Sequence, residues 1–197
     1  MLMRRTLVLL VVYACCAQYA FAQTDYNKRE IGGNVSIMGL DTKGAFNSDK
    51  SRDGLYGFNV QGAYNFSRYL GVKAEFSYSQ RHFDTDFIDL TTRLSQIMGG
   101  IKLQDNKNST RFRPFGHALV GVAHASDLPR IVRLNSGLDG FSVREGTGPA
   151  FALGGGLDIR LTKRLELRAF QIDYNPSRIK EETFQNVRLG IGLNFRF

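Results

Sequence analysis

The chain has 197 residues, 43% of them hydrophobic and 22% charged, with no tryptophan and a formal net charge of +8. Its only cysteines, Cys15 and Cys16, stand together near the amino terminus, so the rest of the chain has no disulfide and no cysteine-bound metal to stabilise it. The basic residues are spread along the whole sequence instead of forming a stripe, which argues against a nucleic-acid partner.

Residues 1–22 have a basic start (Arg4, Arg5), an apolar run from Leu7 to Val12 and small residues at Ala20 and Ala22. This layout predicts a secretory signal peptide cleaved after Ala22, leaving one domain over residues 23–197. A lipid-modified Cys15 is the weaker reading, because bulky Tyr13 stands where such signals use a smaller residue. Arg4 and Arg5 account for two of the eight surplus charges, and the exported part keeps +6. It contains no run of about 18 apolar residues, so a membrane-spanning helix is excluded, and a closed β-barrel is the other structure that satisfies its backbone in lipid.

Period-two alternation predicts strands along the chain. Residues 30–40 align Ile31, Val35 and Ile37 on one face. Residues 54–66 put Tyr56, Phe58, Val60, Tyr64 and Phe66 opposite Asn59, Gln61 and Asn65. Residues 70–81 put Leu70, Val72, Phe76 and Tyr78 opposite Lys73, Glu75 and Arg81. Residues 96–103 group Ile97, Ile101 and Leu103, whereas 112–125 are apolar on both faces and show no clear outside. Residues 151–161 oppose Phe151, Leu153, Leu157 and Ile159 to Asp158 and Arg160. In 165–174 the apolar phase changes between Leu167 and Phe170, so a β-bulge near Ala169 is needed to keep Glu166, Arg168 and Asp173 together. The last strand, 187–197, aligns Val187, Leu189, Ile191, Leu193, Phe195 and Phe197 opposite Arg188 and Arg196.

Eight strands result, joined by alternating long (41–53, 82–90, 126–147) and shorter connections (67–68, 104–110, 162–164), with 175–183 of moderate length. This is an up-and-down meander with both termini at its short-turn end. The expected fold is all-β: an eight-stranded antiparallel up-and-down transmembrane barrel. A water-soluble barrel around an oily ligand shares the alternation. The polar face decides between them: Lys73, Glu75, Arg81, Asp158, Arg160, Glu166, Arg168, Asp173, Arg188 and Arg196 mix both signs among small residues, as suits a narrow lumen filled by ion pairs.

On these residues the sequence resembles the small outer-membrane β-barrel family of Gram-negative envelopes, the group that includes the OmpA transmembrane domain and OmpX. The resemblance implies residence in the bacterial outer membrane and contact with its lipids and lipopolysaccharide. It also implies that Ile191, Leu193, Phe195 and Phe197 form an address read by the barrel-assembly machinery. The absence of tryptophan departs from the family's interfacial girdles, whose place Tyr56, Tyr64, Tyr69, Tyr78 and Tyr174 would take.

Chemistry is sparse. His124 and Ser126 share the His-x-Ser spacing of outer-membrane lipid A deacylases, in which imidazole activates serine. The flanking residues do not follow that pattern, and Glu145 could orient the ring only if the long connection folded back. His82, His117 and His124 are too scattered for a metal site. Gly154, Gly155 and Gly156 open no helix and serve strand packing rather than a phosphate. Arg130, Arg133 and Arg144, set among apolar residues, suit lipopolysaccharide phosphates or a protein surface. The expected protein is thus a monomeric, cofactor-free, non-enzymatic barrel that works through its loops or in envelope integrity. A narrow conduit is the alternative, and a deacylase a more distant one.

Overall fold

The structure, a computed structural model, describes residues 26–40, 53–85, 88–107, 109–133, 139–179 and 182–197. The leader predicted over residues 1–22 lies outside the described residues. Eight strands follow one another: β1 (Arg29–Leu40), β2 (Asp53–Asn65), β3 (Leu70–Thr85), β4 (Ile88–Gln104), β5 (Phe112–Arg133), β6 (Asp139–Arg160), β7 (Leu165–Ile179) and β8 (Glu182–Arg196). Each pairs antiparallel with the next, and β1 pairs with β8 from Glu30↔Arg196 to Gly39↔Val187, closing the barrel. Closure leaves no sheet edge within the wall, the condition for a sheet in lipid.

The outer wall is the apolar face the alternation predicted, with Ile31, Val35, Val60, Ile97, Val122, Ile191 and Phe195 all exposed. Residues 112–125, apolar on both sides, are resolved by their neighbours: Val120 is 63% exposed and Leu119 0%. The strand therefore turns Arg113, Phe115, His117 and Leu119 inward.

Two irregularities break the ladders. Leu157 pairs with Phe170 but Asp158 with Arg168, and on the other side Gly190 pairs with Gln171 but Gly192 with Arg168, so Ala169 is the extra residue of a bulge. The bulge re-phases β7, and Glu166, Arg168, Gln171 and Asp173 all come to be buried. The second lies between Ala125 and Leu128, where the β5–β6 register shifts and Asp127 takes a left-handed backbone with φ of 58°.

The connections differ from expectation at the loop end. β3 and β4 continue through most of 82–90, β7 and β8 through most of 175–183, and β5 and β6 each run for 22 residues through most of 126–147. At about 3.3 Å per residue such strands have a contour of roughly 70 Å, against an apolar band of about 25 Å. The extensions were not legible as strands because, beyond the lipid, a hairpin needs no oily face to hold its backbone bonds.

Candidate functional site

The barrel interior is built from inward-facing positions of every strand and has three tiers. Nearest the short turns, Glu30 of β1 is bonded by Lys102 of β4 and lies 3.0 Å from Arg196 of β8. Arg196 also reaches Glu166 at 3.1 Å, and Arg113 meets the same carboxylate at 2.5 Å. Arg196 further donates to Asn106 at 2.6 Å.

In the middle tier Arg168 grips Asp158 through Nε at 2.8 Å and a terminal nitrogen at 3.1 Å, with its guanidinium 4.2 Å from the centre of the Phe115 ring. Gln104 donates to Asp158 at 3.0 Å and Arg168 to Gln171 at 2.8 Å. Gln171 donates in turn to Asp173 at 2.6 Å. Asp173 also accepts from Arg188 and lies 3.1 Å from Nε2 of His117. Arg188 bonds Glu75, and Lys73 lies 2.7 Å from Glu75. A Cβ on Gly154 would stand 2.0 Å from Oδ1 of Asp173, so only glycine leaves that carboxylate its place. Among the described residues the buried interior holds six basic side chains (Lys73, Lys102, Arg113, Arg168, Arg188, Arg196) against five carboxylates (Glu30, Glu75, Asp158, Glu166, Asp173). Near-balance of buried charge with direct pairing is what a low-dielectric interior demands.

Toward the loop end, Gln96 and Asn175 exchange reciprocal amide bonds of 3.0 and 2.9 Å across the lumen. Around and beyond them lies an apolar cluster, with Met38, Leu55, Leu94, Leu119 and Ile179 buried together with small Ala123 and Ala152. The expected polar lumen thus gains an apolar component: toward the loops this cluster is packed together with buried Ser79, Thr92, Ser177 and Asn186.

Of the residues read from sequence as lumen charges, Lys73, Glu75, Asp158, Glu166, Arg168, Asp173, Arg188 and Arg196 lie in this network. Arg81 and Arg160 do not. Arg81 has the inward phase but sits half-exposed at the loop-side rim beside Tyr56 and His82. Arg160 leaves the barrel at the turn end and donates to the Ser109 carbonyl at 3.2 Å. Glu30 and Lys102 were missed although the signal was present, each standing between outward residues (Ile31; Ile101 and Leu103). Arg113 and His117 were hidden by the two-faced hydrophobicity of β5.

The outer rim holds the His-x-Ser pair. His124 faces outward, its Nε2 3.3 Å from Ser126 Oγ and its Nδ1 2.9 Å from Thr147 Oγ1. Glu145 does come near, but its Oε1 lies 3.4 Å from the same Nε2 that meets Ser126. A relay needs serine and carboxylate on opposite ring nitrogens, and here they compete for one. Among the described residues no cluster of metal-ligating side chains occurs. Arg130 and Arg133 lie on β5 and Arg144 on β6, in the hairpin beyond the bulge; their side chains lie outside the described residues.

At the turn end, Asp105 accepts from Nε and a terminal nitrogen of Arg68 at 2.8 and 2.9 Å. The Arg68 guanidinium holds this exposed carboxyl down to about 2.

Residues 7–197 match the outer membrane protein beta-barrel domain. No curated protein sequence matches the chain. Among solved structures, the attachment invasion locus protein Ail of Yersinia pestis superposes with a TM-score of 0.58 at 16% identity, over 87% of this chain and 99% of that one. Ail in complex with the heparin analogue sucrose octasulfate gives a TM-score of 0.57 at 17% identity, over 87% and 99%. Neisserial surface protein A gives 0.53 at 14% identity, over 86% and 97%. At such identities the likeness concerns the fold.

Proposed function

Because this chain belongs to the outer membrane protein beta-barrel domain family and resides in the bacterial outer membrane, we propose that it is a closed, non-enzymatic barrel that carries the β5–β6 hairpin as a binding arm outside the cell. The observation that carries this reading is the contrast between interior and exterior. The lumen is occupied from the Glu30–Lys102 pair to the Met38–Leu55 layer, while β5 and β6 run for 22 residues each. An eight-stranded barrel has room for side chains and little else, so the interior supplies stability and the hairpin supplies reach. The shared nitrogen of His124 speaks against a serine hydrolase at the rim.

The ligand we propose is a polyanionic saccharide, with lipopolysaccharide phosphates as the nearest source. Arg130, Arg133 and Arg144 give the hairpin three guanidiniums, groups suited to phosphate and sulfate oxygens. That Ail has been crystallised with a heparin analogue supports testing this chemistry first. The barrel acts as a monomer and reaches the membrane through the barrel-assembly machinery. In planar bilayers the purified protein is expected to show no steady conductance, and steady channels would return the conduit reading. Deleting residues 128–144 should leave a heat-modifiable barrel that has lost retention on heparin resin and binding to lipopolysaccharide. Unchanged retention would remove the hairpin from the reading.

A further inference from the structure

Charge is distributed unevenly between the two ends of the barrel. At the turn end, Lys28 and Arg29 lead into β1, Arg68 sits in the β2–β3 turn, Arg111 precedes β5, and Lys163 and Arg164 form the β6–β7 turn; all six are exposed. The one acidic residue in the three turns at this end is Asp105, already engaged by Arg68. Most of the chain's surplus positive charge is therefore gathered where strands are short-turned, the periplasmic end in this architecture.

Two of these residues lie against aromatic rings at the rim, and a third stands beside them in the backbone ladder. The Arg68 guanidinium lies 4.8 Å from the centre of the Tyr69 ring and that of Arg111 5.9 Å from Phe112. Arg29 pairs in register with Tyr64 and exchanges backbone bonds of 3.0 Å with Phe197. Tyr64, Tyr69, Phe112 and Phe197 are all exposed on the outer wall, as an interfacial girdle would be. A guanidinium anchored just beyond such a girdle stands at the level of lipid phosphates. The two tightest turns are also built alike. Ser67 Oγ accepts from the backbone N–H of Leu70 at 3.0 Å, and Thr162 Oγ1 from that of Leu165 at 3.0 Å, the first cap enclosing Arg68 and the second Lys163 and Arg164. These turns hold cations in place at the membrane surface.

We infer that the turn end is a collar that selects anionic phospholipid headgroups, of the phosphatidylglycerol type, from the periplasmic leaflet. Arg29, Arg111 and Arg164 each present a fork to a phosphate whose acyl chains lie along the apolar wall directly above it, while Arg68 is held by Asp105, so headgroup and chain are recognised by adjacent surfaces. This inference is independent of the hairpin's ligand, since it concerns the opposite end of the molecule.

The test is lipid selectivity of the purified, folded barrel in phosphatidylcholine vesicles, read by spin-labelled phosphatidylglycerol against spin-labelled phosphatidylcholine. The wild type should favour phosphatidylglycerol, and added salt should weaken the preference. Replacing Arg29, Arg111 and Arg164 together with Gln should lower it, by up to about five-fold for each arginine. Arg93→Gln, at the loop end, should leave it unchanged, and lysines at the three positions should restore part of it. Heat-modifiability verifies that each variant is folded, and the single variants are read one at a time if the triple variant is not. Equal association of both lipids with the wild type, or a preference untouched by the triple variant, overturns the proposal. Arginine-dependent binding to purified peptidoglycan sacculi without lipid selectivity also overturns it, by assigning the collar to the cell wall.

Discussion

Glu75 shows how single residues are held in this interior. It accepts from Arg188 and lies 2.7 Å from Lys73, with its side chain fully buried. Truncating it takes the carboxylate away from Lys73 and leaves Arg188 to Asp173 alone, and breaking a buried pair in this way costs roughly 3–5 kcal/mol. We expect Glu75→Ala to lower urea resistance by that order, and the double variant with Lys73→Ala to lose less than the sum of the two single changes. Additive losses in the double-mutant cycle would mean that the carboxylate is hydrated and unpaired. Asp105 is the exposed counterpart. Its carboxyl is depressed from the ordinary 3.8 to about 2, so the pair with Arg68 contributes stability above pH 4 that fades as pH falls toward 2. Because both partners are solvent-exposed the contribution is small, and the sensitive measurement is spectroscopic. The carboxyl resonance of Asp105 should titrate near 2, and Arg68→Gln should move the midpoint back toward 3.8.

At the scale of elements, the bulges position what the strands carry. The one at Ala169 could be read from sequence because the apolar phase reversed around it; the one at Ser126–Asp127 could not, because a left-handed residue leaves no mark on hydrophobic periodicity. Asp127 is among the few residue types that tolerate this backbone, and its carbonyl accepts from Thr92 at 2.9 Å where the hairpin leaves the barrel. Asp127→Gly should preserve the bulge with little change in stability, whereas Asp127→Val should cost about 1–2 kcal/mol through the left-handed conformation alone. Unfolding by urea distinguishes the two. A valine variant as stable as the glycine variant would show that the register shift does not depend on that backbone angle.

At the scale of the whole molecule, the outer wall must match the membrane. Ile191 lies within the apolar stripe from Val187 to Phe197 and is 57% exposed on that wall. Ile191→Arg should cost about 2–4 kcal/mol near the bilayer centre and hinder refolding into vesicles. Normal refolding would place this stripe outside the hydrocarbon. Architecture was legible from sequence because lipid outside and charge inside impose opposite chemistry on alternate residues, as in β3 and β8. Legibility failed where that contrast disappears. β5 is apolar on both faces because its inner side helps form the hydrocarbon layer around Leu119, and beyond Ala125 the sequence of the hairpin carries no clean alternation. The rim positions of Arg81 and Arg160 follow from strand tilt and stagger, which no single strand records.

Closure by β1 and β8 has a kinetic consequence. Seven of the eight strand pairs join neighbours in the chain, but the eighth brings Glu30 to Arg196, residues near opposite ends of the domain. That contact encloses nearly the whole sequence in one loop, the most entropically demanding contact in the molecule and one that local hairpins cannot form by themselves. Until it forms, β1 and β8 each present an unpaired edge. Assembly should therefore be all-or-none at its final step, with a sheet that is nearly complete yet still open as the species most exposed to aggregation.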